Sequence, residues 1–160
     1  MSFVHDTIVG SARELAYLIK KTKCVIIKFS AKWCNPCQNK EFKHNYEMLK
    51  QEFSVYPDIK FVELDLDEDD EIVNSTKYYD FAIKTIPHFK FCFEGDIISQ
   101  YDGPQSLKEI YINLKKVVKL IENNSSSTST STSTSSSPSP SISVSPITVP
   151  ISIKNPSNTV

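Results

Sequence analysis

The chain contains no run of 18 apolar residues, so no membrane-spanning helix is expected. Its first residues, Met1-Ser2-Phe3-Val4-His5-Asp6, lack the basic segment and apolar stretch of a secretory leader. A reducing, cytoplasmic setting is therefore the expectation, and a packaged or particle-associated location is compatible with it. Cysteine is scarce: four residues, unevenly placed, are too few for a small disulfide scaffold. Net charge is also small, at −1, with both signs interspersed, which argues against a nucleic-acid or anionic-membrane footprint. Arginine occurs once, at Arg13, against 17 lysines, a bias we read as compositional rather than functional.

The C-terminal stretch lacks what a core requires. Residues 125–137 are all Ser or Thr, Ser-Pro pairs follow, and Ile or Val then alternates with Ser and Thr. With no aromatic residue and Lys154 as its single charge, this segment buries too little to offset its ordering entropy. The expected organisation is a folded domain over 1–122 and a Ser/Thr/Pro-rich disordered tail over 123–160. Within the tail, Ser137, Ser139 and Ser145 each precede a proline and are candidate phosphorylation sites.

What the first 122 residues do contain is alternating strand and helix signal. Ser11-Ala12-Arg13-Glu14 has the capping-box pattern, with Leu15, Leu18 and Ile19 at helical spacing behind it. Cys24 to Phe29 reads as a buried β-branched strand, and Ile59 to Leu66 as a second. Between them, one helix is expected from near Cys34 to before Pro57, carrying Phe42, Tyr46, Met48, Leu49 and Phe53. The acidic run Asp65 to Glu71 opens a helix through about Tyr79, since negative charge is favourable at a helix N-terminus. Phe89 to Phe93 and Ile97 to Tyr101, joined by Glu94-Gly95-Asp96, read as an antiparallel hairpin. A last helix begins at a second box, Ser106 to Glu109. The fold class is α/β: a mixed central sheet with helices on both faces.

At the end of the first strand stands Trp33-Cys34-Asn35-Pro36-Cys37. A strand that delivers a C-x-x-C pair into a helix places the first thiol where free N–H groups and the macrodipole favour a thiolate. The second thiol lies one turn on, within reach of a small disulfide, and Pro36 suits the first turn, where its missing N–H costs nothing. A zinc hook would need two further ligands, and Cys24, Cys92 and the three histidines supply no second paired motif. The pattern reads as a redox switch, with Cys34 expected to be exposed.

Phe29 to Cys37, the strand Phe61 to Asp67, and Ile86-Pro87 some fifty residues beyond the cysteines together resemble the thioredoxin family. Gly95 and Gly103 match its usual glycine positions, and the resemblance covers roughly residues 1–121. It implies a thioredoxin fold and a thiol–disulfide oxidoreductase that reduces protein disulfides. Cys34 would be the nucleophile and Cys37 the resolving thiol. No bound cofactor and no metal are implied beyond the redox-active Cys34–Cys37 disulfide. Partners would be disulfide-containing clients and a thioredoxin-reductase-type donor, with no nucleic acid or membrane, acting as a monomer.

The same resemblance assigns Pro87 as a cis-proline facing the disulfide and Ile86 as the backbone that pairs with an extended client. Trp33 would shield and dock. His88 is either an ordinary strand residue or a titratable neighbour of the site. Cys24 and Cys92, inside apolar strands, read as structural thiols, and His5 and His44 as surface residues. Two positions depart from the family: Asn35 replaces the usual glycine, and Lys28 replaces a buried aspartate. Glu63 takes the place of a lysine often found on the adjacent strand, so Lys28 and Glu63 would be a pair of swapped sign. Pro36 between the cysteines resembles the reducing members rather than the isomerases. A more oxidising isomerase-like enzyme and a thioredoxin-fold binding or assembly module are the alternatives.

Overall fold

The computed structural model describes residues 6–75 and 83–125. Helix α1 (Ala12–Lys21) precedes strand β1 (Cys24–Ser30), and two helices, α2 (Asn35–Gln38) and α3 (Lys40–Phe53), follow it. Strand β2 (Ile59–Asp65) leads to helix α4 (Asp70–Ser75), then to the hairpin β3 (His88–Phe93) and β4 (Asp96–Asp102). A 3-10 turn over Pro104–Ser106 enters helix α5 (Leu107–Ser125). The four strands run in the order β2-β1-β3-β4, with β1 parallel to β2 and antiparallel to β3. Outside β2, the Thr7 N–H donates to the Phe61 carbonyl at 2.8 Å and occupies part of that edge.

β1 is buried along its whole length because both of its faces are covered. Cys24 and Ile26 meet Phe42, Tyr46 and Phe53 of α3 and Ile110, Leu114 and Val117 of α5. On the opposite face, Val25, Ile27 and Phe29 meet Leu15 and Ile19 of α1 and Ile72 and Val73 of α4. The sheet thus carries its helices on both faces, as the sequence pattern implies.

Three local details differ from the sequence expectation. The single helix from Cys34 is broken at Asn39, whose backbone is extended (φ −57°, ψ 128°). Its side-chain oxygen accepts from the Phe42 N–H at 3.0 Å, so the asparagine caps a new helix rather than continuing the old one. The hairpin loop has only two residues, Glu94 and Gly95, both at positive φ (51° and 93°), the conformation that matches the twist of adjoining strands. Ser106, read as an N-cap, donates its hydroxyl to the Asp102 carbonyl at 2.7 Å, and the chain enters α5 through the 3-10 turn. The expected continuation of α4 to Tyr79 and the tail beyond Ser125 lie outside the described residues. α5 itself runs to Ser125, past Glu122. Among the described residues, no helix is long and apolar enough to cross a membrane.

Candidate functional site: a disulfide at the end of the central strand

β1 ends at Ser30, and the next seven residues form the site. Cys34 and Cys37 are joined by a disulfide with Cα atoms 5.2 Å apart. Cys34 is the N-cap of α2, and its Sγ accepts the Cys37 N–H at 3.2 Å. A backbone donor and an open helix end are the features that favour a thiolate on a free thiol.

Burial does not separate the two sulfurs. Cys34, expected to be exposed, is only 4% exposed, and Cys37 is 1% exposed. Both pack with Ala31 under Leu66 and Ile86, residues distant in sequence that close over the loop. Burial therefore gives neither thiol an advantage.

Ile86-Pro87 is a cis peptide bond, and the Ile86 carbonyl oxygen lies 3.5 Å from Cys34 Sγ. Two segments 52 residues apart thus meet at the sulfur. Trp33 is 65% exposed beside Cys34, held by its Nε1–H donating to Asp67 Oδ2 at 2.7 Å. That position excludes a core role for the indole. Asn35 and Pro36 are also exposed, while Pro87 is buried and Ile86 half-buried.

On the α3 face, Lys28 and Glu63 are register partners across the parallel strands. Lys28 Nζ donates to Glu63 Oε1 at 2.7 Å, and the Ser30 hydroxyl donates to the same oxygen at 2.8 Å. The pair is unequal: the Lys28 side chain is 5% exposed and that of Glu63 36%. The ammonium also stands 4.7 Å from the ring centre of Tyr46 and 5.3 Å from that of Phe42.

Further charges join beneath it. Lys50 lies 5.0 Å from the Tyr46 ring and pairs with Asp6 at 2.8 Å and Glu47 at 3.0 Å. Burial pulls the Lys50 ammonium down, yet hydrogen bonds to Asp6 and Glu47 outweigh it and hold the group above its ordinary value. Asp6 is raised by burial despite Lys50, and burial among Asp6, Glu63 and Glu47 pushes the Tyr46 phenol well up. Sequence reasoning read Tyr46 only as an apolar helix residue and Ser30 only as part of the loop, and gave Lys50 no role. Lys50 carried a signal, since it follows Phe42 and Tyr46 at four-residue spacing on the apolar face of α3.

Cys24 and Cys92 are buried and lie outside the disulfide. Burial, with Cys92 nearby, pushes the Cys24 thiol far above its ordinary range. Neither is expected to react with iodoacetamide in the folded, reduced protein at neutral pH, since the thiolate is the nucleophile. Mass spectrometry should find both modified only after denaturant is added. His44 is exposed on α3, and His5 lies outside the described residues.

A family model described as Thioredoxin matches residues 7–116. The chain belongs to the thioredoxin family. A thioredoxin from Geodia cydonium is 39% identical over 79 residues, covering 49% of this chain and 65% of that protein. The oxidised structure of mitochondrial thioredoxin 3 from Saccharomyces cerevisiae superposes with a TM-score of 0.54 at 27% identity, covering 68% of this chain and 94% of that one. A chain from a structure on the thiol-resolving mechanism of a yeast mitochondrial 1-Cys peroxiredoxin via glutathione/thioredoxin systems gives 0.55 at 26%, covering 71% and 99%. In this thioredoxin-family chain, the closed Cys34–Cys37 disulfide is the group that thiol–disulfide oxidoreduction requires. The Asn39 break does not disturb it, because α2 already supplies the N–H that faces Cys34 Sγ.

Proposed function

We propose that this protein reduces disulfides in client proteins, and that it works in a reducing intracellular compartment. The observation that carries the reading is the Cys34–Cys37 disulfide with the Ile86 carbonyl 3.5 Å from Cys34 Sγ. A reactive sulfur beside a backbone carbonyl from a distant segment suits attack on a disulfide held in a peptide chain.

The cycle starts from the dithiol. Cys34 thiolate attacks one sulfur of the client disulfide, forming a mixed disulfide and releasing the first client thiolate. Cys37 thiolate then attacks Cys34 Sγ, closing the Cys34–Cys37 bond and releasing the second. Two electrons pass to the client, and a reductase of the thioredoxin-reductase type returns them. Ile86 supplies backbone contact to the client, Pro87 flanks the sulfurs, and Trp33 docks the client beside Cys34. Asn35 and Pro36 shape the turn between the thiols. Lys28 and Glu63 are supporting charges, with the carboxylate on the strand beside the one where most of the family buries an aspartate. Peroxiredoxins are one client class, in line with the system described for the yeast structure.

The test is insulin reduction with a dithiol donor, followed by equilibration of Cys34–Cys37 against glutathione. Turnover with a potential near that of thioredoxins, about −270 mV, is expected. A potential of about −180 mV or higher would reassign the protein to isomerase or oxidase work. No turnover at all would leave a binding module.

A further inference from the structure

We propose that His88 and Asp102 form a tie that positions the Ile86-Pro87 segment against the disulfide for client docking, an inference that rests on the protein-disulfide reductase reading above. His88 directly follows the cis-proline and is 5% exposed. Its Nδ1 lies 2.8 Å from Asp102 Oδ1. An ionised carboxylate only accepts, so Nδ1 is the donor to Asp102. Nε2 is buried with no hydrogen-bond partner among the described residues.

An imidazole so placed is a poor choice for packing alone. An apolar side chain of similar bulk would fill the space beside Phe29, whose ring centre is 6.1 Å away, without stranding a polar atom. What the histidine adds is the bond to Asp102. A second contact runs beside it, from the Gly103 N–H to the Pro87 carbonyl at 2.8 Å. Gly103 holds a positive φ of 79° there.

Asp102 is itself anchored, because its backbone carbonyl accepts from Ser106 Oγ at 2.7 Å and from Gln105 Nε2 at 2.9 Å. The contacts therefore run unbroken from the 3-10 turn before α5, through Asp102 and His88, to Pro87, Ile86 and Cys34 Sγ. His88 touches neither sulfur in this path; it acts through the segment it holds. Client proteins that use the Ile86 backbone should feel its loss most, and small disulfides least.

The experiment compares the full chain with His88→Leu, His88→Asn, Asp102→Ala and Asp102→Asn on insulin and on the small aromatic disulfide DTNB. His88→Leu and Asp102→Ala are expected to raise KM for insulin roughly five- to tenfold, the scale of one lost ordinary hydrogen bond. The rise should fall on KM rather than kcat, with DTNB reduction slowed less than about twofold. His88→Asn, whose amide N–H sits where Nδ1–H does, should bring KM back, and so should Asp102→Asn, which keeps an acceptor. If His88→Leu does not fold, the Asp102 pair carries the test, since that side chain is 63% exposed. Equal losses on insulin and DTNB, an unchanged KM, or no recovery in the asparagine variants would overturn the tie. Failure of the unsubstituted chain on insulin would overturn the reductase reading and the tie with it.

Discussion

Cys34→Ser is expected to lower insulin reduction by on the order of a thousandfold or more, because no other thiol can start the exchange. Cys37→Ser should stop turnover as fully but for a different reason. Cys34 would still attack a client, and the mixed disulfide would then persist, because nothing remains to attack Cys34 Sγ. Non-reducing gels should therefore show covalent adducts with Cys37→Ser and none with Cys34→Ser. The assignment rests on the Cys37 N–H at 3.2 Å from Cys34 Sγ and on Cys34 capping α2. Both favour negative charge on that sulfur. A limiting dose of iodoacetamide on the reduced protein at neutral pH should label Cys34 first. Adducts trapped by Cys34→Ser instead would reverse the two roles. Equal labelling of Cys34 and Cys37 would remove the electrostatic argument, since burial gives neither sulfur an advantage.

The second large effect concerns stability. Glu63→Gln removes the counter-charge of an ammonium whose side chain is 5% exposed. Breaking a fully buried pair costs about 3–5 kcal/mol. Here the glutamine oxygen can still accept from Lys28 and Ser30, and the Tyr46 and Phe42 rings face the cation. A loss of about 2 kcal/mol is therefore expected. Lys28→Met should cost less, about 1 kcal/mol, because the carboxylate it leaves behind is 36% exposed and keeps the Ser30 hydroxyl. The double substitution should cost less than the sum of the two, with a coupling of at least about 1 kcal/mol. Urea unfolding of all four proteins measures this cycle. Coupling below about 0.5 kcal/mol would mean the charges act independently and that Lys28 owes its place to the aromatic rings.

Much of this protein was legible before any coordinates. The uniformly apolar β1, the C-x-x-C spacing after it and the hairpin signal around Gly95 are short-range patterns, written into neighbouring residues. Asn39 was misread because one asparagine can sit in a helix or cap one, and the choice depends on whether its side chain or the preceding carbonyls take the free N–H groups. The exposure of Cys34 was misread because the residues that cover it, Leu66 and Ile86, come from other elements.

The sequence by itself determined that two thiols lie one helical turn apart at the end of a buried strand, because that depends only on local backbone geometry. Tertiary structure decided which groups meet them. The Ile86 carbonyl reaches Cys34 only when β3 lies beside β1, and the Lys28–Glu63 pair exists because the parallel register places those two residues opposite each other. Asp6 with Lys50 and His88 with Asp102 likewise join different elements. The strand-to-strand contacts among these are set by sheet order and register, and a one-residue slip in register would turn each strand residue to the opposite face.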